Sequence, residues 1–173
     1  MRVVIPSRLG GVMLDELLLA LEGEGVSPKD VLVVRDGGDE WMESRLCPDP
    51  QGPTRRMGFA GAADWGIRHA DAREVLLLND DLLPEEGLIE GLNQIRDKAP
   101  FIGCRLLNFE GTVVEFDGGG MNALGFALSL GCGERPTEKR GGETLFASGA
   151  AVLLNAQACS SVGGYATGFF AYF

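Results

Sequence analysis

The sequence holds a single histidine, and its four cysteines (Cys47, Cys104, Cys132 and Cys159) include no C-x-x-C pair. The ligand spacing of a zinc centre is therefore missing, and the thiols read as buried and reduced. Basic residues are also scarce. Fifteen Lys and Arg stand against twenty-five Asp and Glu, a formal net charge of −10. Non-specific nucleic-acid binding rests on basic patches that neutralise phosphates, so this balance argues against a nucleic-acid partner. An anionic ligand would need local help from a metal, an arginine or a helix N-terminus. No apolar run approaches the ~20 residues of a membrane span, and no signal-peptide pattern follows Met1. These absences lead to the expectation of a cytoplasmic, soluble protein with no membrane span.

What is present is ordinary for a globular chain: 173 residues, 45% hydrophobic and 23% charged. That length suits one domain burying roughly 70% of its unfolded surface. The chain alternates β-rich runs with helical periodicity. Arg2 to Pro6 and Val31 to Val34 read as strands, and Leu14, Leu17, Leu18 and Leu21 lie on one helical face between them. Gly23 and Gly25 stop that helix. A loop rich in Pro and charge, 40–56, leads to a second helical pattern over Phe59, Ala62, Ala63, Gly66, Ile67 and Ala70, whose small residues let a helix lie close to a sheet. Val75 to Leu78 is the third strand. Pro84, with Glu85 and Glu86 in the first turn, opens a third helix with Leu88, Leu92 and Ile95 on its core face. This β-α-β-α-β-α order predicts an α/β fold, a mostly parallel sheet with helices on both faces. Beyond Pro100 the pattern turns antiparallel or irregular. Phe101 to Leu107 and Thr112 to Phe116 read as strands around Glu110-Gly111, and Leu145 to Leu154 as another. Gly118-Gly119-Gly120 reads as flexible punctuation.

In open α/β sheets ligands bind beyond the carboxyl ends of the strands. Three such ends carry marked residues: Pro6-Ser7-Arg8, Arg35-Asp36-Gly37 and Asn79-Asp80-Asp81. Two adjacent carboxylates repel by about 4 kcal/mol at ~4 Å and an effective dielectric near 20. A hard divalent cation relieves that repulsion and could bridge to a diphosphate. The plain alternative is that Asp80 and Asp81 form a turn before Pro84. Of Arg8, Arg55, Arg56 and Arg68, only Arg56, beside the Gly58 loop, carries weight as a phosphate partner. His69 reads as a dipole partner at a helix end, and Trp41 and Trp65 as packing residues.

Five segments, in order and over nearly the whole chain, give a more specific reading. VVIPSR is similar to IVTYNR, VLVVRDGGDE to VVVDNGSTD, and RRMGFAGAADWGIRHA to NLGFAGGNNIGIRAA. VLLLNDDLLPEEGLIEGL is similar to VLLLNPDTVVPPGALEAL, and FASGAAVLLNAQACSSVGGYATGFFAYF to VSGAAMLIRREVFEEVGGFDERFFLYFED. The chain thus resembles the family-2 glycosyltransferases of GT-A fold, most closely their rhamnosyltransferase-like branch. The resemblance implies a single GT-A-type, Rossmann-like domain over residues 1–173. Its nucleotide-binding half would be 1–99 and its acceptor-side half 100–173. It implies a nucleotide-diphosphate sugar donor, a carbohydrate or other hydroxyl acceptor, and Mn2+ or Mg2+ as cofactor. Pro6, Ser7, Arg35, Asp36, Arg56, Gly58 and Asp80 fall on nucleotide-side positions. Asp81 falls on the second carboxylate of a DXD-like metal motif, with Asn79 in place of the first. Ser148, Gly149, Phe170 and Tyr172 fall on the sugar–acceptor cleft.

The departures from the family pattern are specific. Arg35 stands at the nucleotide-reading aspartate, Arg56 replaces the Asn of NLG, and Ala63 and Asp64 replace paired Asn residues. The sequence given stops at Phe173, just before the family's Glu-Asp, so the general base has no assigned residue. Two other readings stay open at this point. One is a non-catalytic GT-A-like module that binds a nucleotide or a partner. The other is a sugar-phosphate nucleotidyltransferase, since IPSRLGG is similar to an IPAR…RLPGK opening, although VMLDE follows Gly11 where a Gly-rich loop and lysine would stand. The aromatic end FFAYF is expected to be covered by the domain itself or by a partner chain, whether a second copy in a homo-oligomer or another protein.

Overall fold

A computed structural model describes residues 1–37, 41–42, 44–47, 49–137 and 142–169. Three parallel strands form its centre: β1 (Arg2–Ser7), β2 (Val31–Arg35) and β3 (Glu74–Leu78). Two more complete a five-stranded sheet. β4 (Phe101–Gly103) pairs antiparallel with β9 (Ala151–Asn155), and β9 pairs antiparallel with β3, so the order is β2-β1-β3-β9-β4. Only β9 runs against the others. β2 is covered on its outer side, where Gln51 bridges it in parallel and the Arg35 N–H donates to the Gln51 carbonyl at 2.6 Å.

Both faces of the sheet are dry, which explains why its strands read as continuous apolar runs instead of alternating ones. On one face, Leu14, Leu17 and Leu21 of α1 (Val12–Gly23) pack with Leu92 of α3 (Leu88–Ile95) against Val3, Ile5, Val33, Leu76 and Leu153. On the other, α2 (Gly58–His69) covers Val4, Leu32, Val34, Val75 and Leu77, joined by Cys159 of α4 (Ala156–Ser161). The small residues of α2 do what their size suggests. A Cβ on Gly66 would stand 2.5 Å from Val4 Cγ1 and 2.8 Å from Val34 Cγ2, so the helix backbone lies directly on the strands.

α1 stops as its glycines imply. Gly25 has a φ of 81°, its N–H donates to the Glu22 carbonyl, and the Val26 N–H donates to the Leu21 carbonyl, the paired bonds of a Schellman end. α3 starts later than the sequence suggests, at Leu88 and not at Pro84. Gly87, at φ 86°, breaks the backbone ahead of it, and Pro84 and both glutamates lie in the preceding loop. The cap comes from elsewhere in the chain. The Glu24 carboxylate, at the end of α1, accepts the N–H groups of Gly87 (2.9 Å) and Ile89 (3.1 Å).

The second half departs further from its sequence reading. The expected strand over Phe101 to Leu107 is broken. Phe101–Gly103 joins the main sheet, while β5 (Leu106–Leu107) turns away to pair with β6 (Val114–Phe116), two residues shorter than expected at its start. Gly118-Gly119-Gly120 is largely strand: β7 (Gly119–Met121) pairs with β8 (Ala127–Ser129) in a hairpin. Glycine is needed there because a Cβ on Gly119 would collide with the Phe146 ring. Of the expected Leu145 to Leu154 strand, only the part from Ala151 onward joins the sheet. No helix among the described residues is long and apolar enough to cross a membrane.

Candidate functional site

Because β1, β2 and β3 are parallel, their carboxyl ends share one edge of the sheet, and β9, running the other way, begins at that edge. Segments far apart in sequence therefore meet. The Asp36 N–H donates to the Ser7 carbonyl at 3.0 Å, and the Asn79 N–H donates to the Ala150 carbonyl at 2.8 Å, which fastens the acidic turn to the 148–150 segment.

Ser7 is the hinge of the arrangement. Only 2% exposed, it donates its hydroxyl to Asp80 Oδ2 at 2.5 Å and accepts the Gly10 N–H at 3.0 Å. Pro6, buried beside it, pairs with Val34. The half-buried Asp80 carboxyl titrates above the usual carboxylate range. Burial is the largest cause, the Ser7 hydroxyl opposes it, and the neighbouring Asp81 charge adds to it. Asp81 is exposed, and between β3 and Asp80 the side-chain oxygen Asn79 Oδ1 is buried with no hydrogen-bond donor. A buried acceptor without a donor, next to two carboxylates, is an arrangement that a hard cation satisfies. Among the described residues no three His, Cys, Asp or Glu side chains gather into a cage. A cation here would complete its shell with oxygens from outside the chain, which fits a magnesium- or manganese-type site that uses phosphate oxygens.

Asp36 is held by a feature that its position in the sequence does not show. It is 6% exposed and accepts the N–H groups of Met57 (2.7 Å) and Gly58 (3.0 Å), capping α2 from 21 residues upstream. Arg56 Nε stands 3.9 Å from the same carboxylate. The backbone of Arg55 and Arg56 presses on Gly37, where a Cβ would collide with it. Asp36, Arg56 and Gly58 thus form one unit, and Arg35 ends the adjacent strand in register with Ser7.

On the other side of the edge, Ser148 Oγ accepts the Ala150 N–H at 3.2 Å, and Gly149 lies against the Phe59 ring of α2. Phe59 meets Tyr165 edge to face, with ring centroids 6.3 Å apart. Burial pushes the Tyr165 hydroxyl up to about 12. Phe170 and Tyr172 lie outside the described residues. Trp65 stacks on His69 at 3.8 Å, and Trp41 packs over Gly10 and the α1 side of the core, so both tryptophans serve packing.

A mixed sheet of this order, with helices on both faces and its polar residues collected at the carboxyl edge, defines a GT-A-like, Rossmann-type fold. Solved structures carry the same fold. TarS 1–349 of S. aureus covers 95% of this chain with a TM-score of 0.63 at 14% identity. The mannosyltransferase PcManGT of Pyrobaculum calidifontis, solved with GDP-Man and Mn2+, covers 96% with a TM-score of 0.60 at 15% identity. HddC of Yersinia pseudotuberculosis, complexed with GMP-PN, covers 90% with a TM-score of 0.54 at 13% identity and is itself covered to 77%. The chain spans about half of the first two, 50% and 47% of their lengths. Identities this low establish the fold alone. No family model matches the chain, and no curated protein matches it.

Proposed function

We propose that this chain is a glycosyltransferase-like domain that binds a nucleotide-diphosphate sugar with Mn2+ or Mg2+ at the carboxyl edge of its sheet. The observation that carries the reading is the cluster of Asn79, Asp80 and Asp81 tied to Ser7, with an acceptor oxygen buried and unmet. A neighbour of the same fold, solved with GDP-Man and Mn2+, supports it. So does the ordered resemblance of five segments to family-2 glycosyltransferases.

In this reading residues 1–99 form the nucleotide side and 100–173 the acceptor side. Asp81 and Asn79 would hold the cation, and the chemistry it would supply there is charge neutralisation on a diphosphate. Ser7 fixes Asp80 by its hydroxyl and keeps the acidic turn aimed along the edge. Pro6, Arg35, Asp36, Arg56 and Gly58 frame the nucleoside and phosphate side, where the two arginines supply local positive charge on a chain of net charge −10. Ser148 and Gly149 belong to the wall that a hydroxyl acceptor approaches. Transfer by single displacement inverts the anomeric carbon: the acceptor oxygen bonds to it as its bond to the diphosphate breaks, and a carboxylate takes the hydroxyl proton. No residue of the present sequence is assigned that last role.

The test is a thermal-shift panel of UDP-, dTDP- and GDP-sugars with and without Mn2+. A ligand at 100 times its dissociation constant stabilises by about 2.7 kcal/mol, or roughly 5–10 °C for a chain this long. A metal-dependent shift with at least one diphospho-sugar is expected. No shift with any of them would refute the reading, and a shift with nucleoside triphosphates alone would favour a nucleotidyltransferase.

A further inference from the structure

The Asp64 carboxylate, in the middle of α2, has a side chain only 14% exposed and collects three donors. Arg68, one turn on, approaches it as a fork, Nε at 2.6 Å and Nη2 at 3.3 Å. Such a pair alone, between neighbours on one helix, adds little. The third donor is the Tyr165 N–H at 3.2 Å, from 101 residues away. The turn that delivers it is built around the carboxylate. Gly164 has a φ of 76°, and a Cβ on it would collide with Asp64 Oδ1 and stand 3.0 Å from Arg68 Nη2. Gly163 also has a positive φ, 97°, but a Cβ there meets nothing within 4 Å. The same turn carries Tyr165, whose ring meets Phe59, and Phe59 in turn lies against Gly149.

We propose that Asp64 is a positioning residue that latches the Gly163-Gly164-Tyr165 turn onto α2 and so holds the acceptor-side wall of the candidate site in place. The name of that wall rests on the sugar-nucleotide reading, whereas the latch does not. Its partners are Arg68 and the Tyr165 N–H, so its route to the wall runs through Tyr165 and Phe59. One helix then ties both sides of the edge together: its first turn is pinned by Asp36, Phe59 faces Gly149, and Asp64 holds Tyr165.

The experiment is amide hydrogen exchange over residues 163–169, with calorimetric binding of UDP and GDP in the presence of Mn2+, for four variants. Asp64→Ala is expected to speed exchange of these amides by about tenfold or more, since opening of the turn no longer breaks the bond to the carboxylate. Asp64→Asn keeps an acceptor for the Tyr165 N–H and should stay within about threefold of the parent. Gly164→Ala should act like Asp64→Ala, whereas Gly163→Ala, strained by its own positive φ but with no contact for its methyl, should speed exchange less. Nucleotide affinity should hold within about twofold throughout, because the latch lies on the other wall. Unchanged exchange in Asp64→Ala would overturn the proposal, as would equal effects of the two glycine variants or a loss of nucleotide affinity in step with the faster exchange. Should Asp64→Ala fail to fold, the two glycine variants and Asp64→Asn decide. If the parent chain binds neither nucleotide, the sugar-nucleotide reading fails while the exchange results still judge the latch.

Discussion

Ser7 and Asp80, 73 positions apart, share a hydrogen bond of 2.5 Å in which the serine hydroxyl donates to the carboxylate. The bond joins the ends of β1 and β3 where ligands of open α/β sheets settle. It favours the ionised form of a carboxyl whose burial favours the protonated one. Ser7→Ala should therefore raise the Asp80 titration point further and cost about 1–2 kcal/mol of stability. Urea unfolding and an NMR titration of the Asp80 carboxyl would check both, and a lowered titration point would contradict the assigned balance.

Asp80→Asn separates stability from binding. With its titration raised in the folded state, ionised Asp80 detracts from stability above its folded titration point, and the effect vanishes below its unfolded value. The variant is expected to unfold at a higher temperature than the parent at pH 7 and to match it near pH 3, while binding Mn2+ with nucleotide more weakly. Thermal unfolding across that pH range is the measurement.

Asp15 has the opposite sign. The Ser44 hydroxyl at 2.5 Å is the main cause holding its carboxyl below the usual range, and the N–H groups of Arg45 and Leu46 assist. A depressed folded value gives stability that is present above the unfolded value of ~3.9 and is lost as pH falls through the folded one. Asp15→Asn should flatten that acid limb in urea unfolding between pH 2 and 6, and should free the 44–47 segment from α1.

Two glycines in helices should respond in opposite directions. Gly66→Ala drives a methyl into Val4 and Val34 and should destabilise by about 1–3 kcal/mol. Gly91→Ala, in α3 with nothing within 4 Å of a Cβ, should stabilise by about 0.5–1 kcal/mol. Denaturant midpoints for the two variants on either side of the parent would bear this out.

The first half of the fold was legible because each of its elements is long and apolar in one period. Leu14, Leu17 and Leu21, and the runs ending at Val34 and Leu78, carry their burial in their own spacing. The sheet edge was legible too, since parallel strands bring Ser7, Asp36 and Asn79 to one side. What could not be read locally were bonds made over distance. Glu24 caps α3 from 63 residues away and so sets where the helix begins, against the local signal of Pro84. Asp36 caps α2, a tie that no motif spacing reveals. The β7–β8 hairpin escaped because its first strand is mostly glycine, required by the ring of Phe146 and not by any β propensity.

The most direct measurement is isothermal calorimetry of UDP- and GDP-sugars with Mn2+ on the parent chain and on Asp81→Asn. Asp81 is exposed in the turn that follows β3, two positions after Asn79 with its unmet oxygen, so its removal should leave the fold intact and take away the metal-dependent part of the binding. Loss of that part with an unchanged unfolding temperature is the expected result. Equal manganese-dependent affinity in the two proteins would contradict the assignment of the cation to the acidic turn.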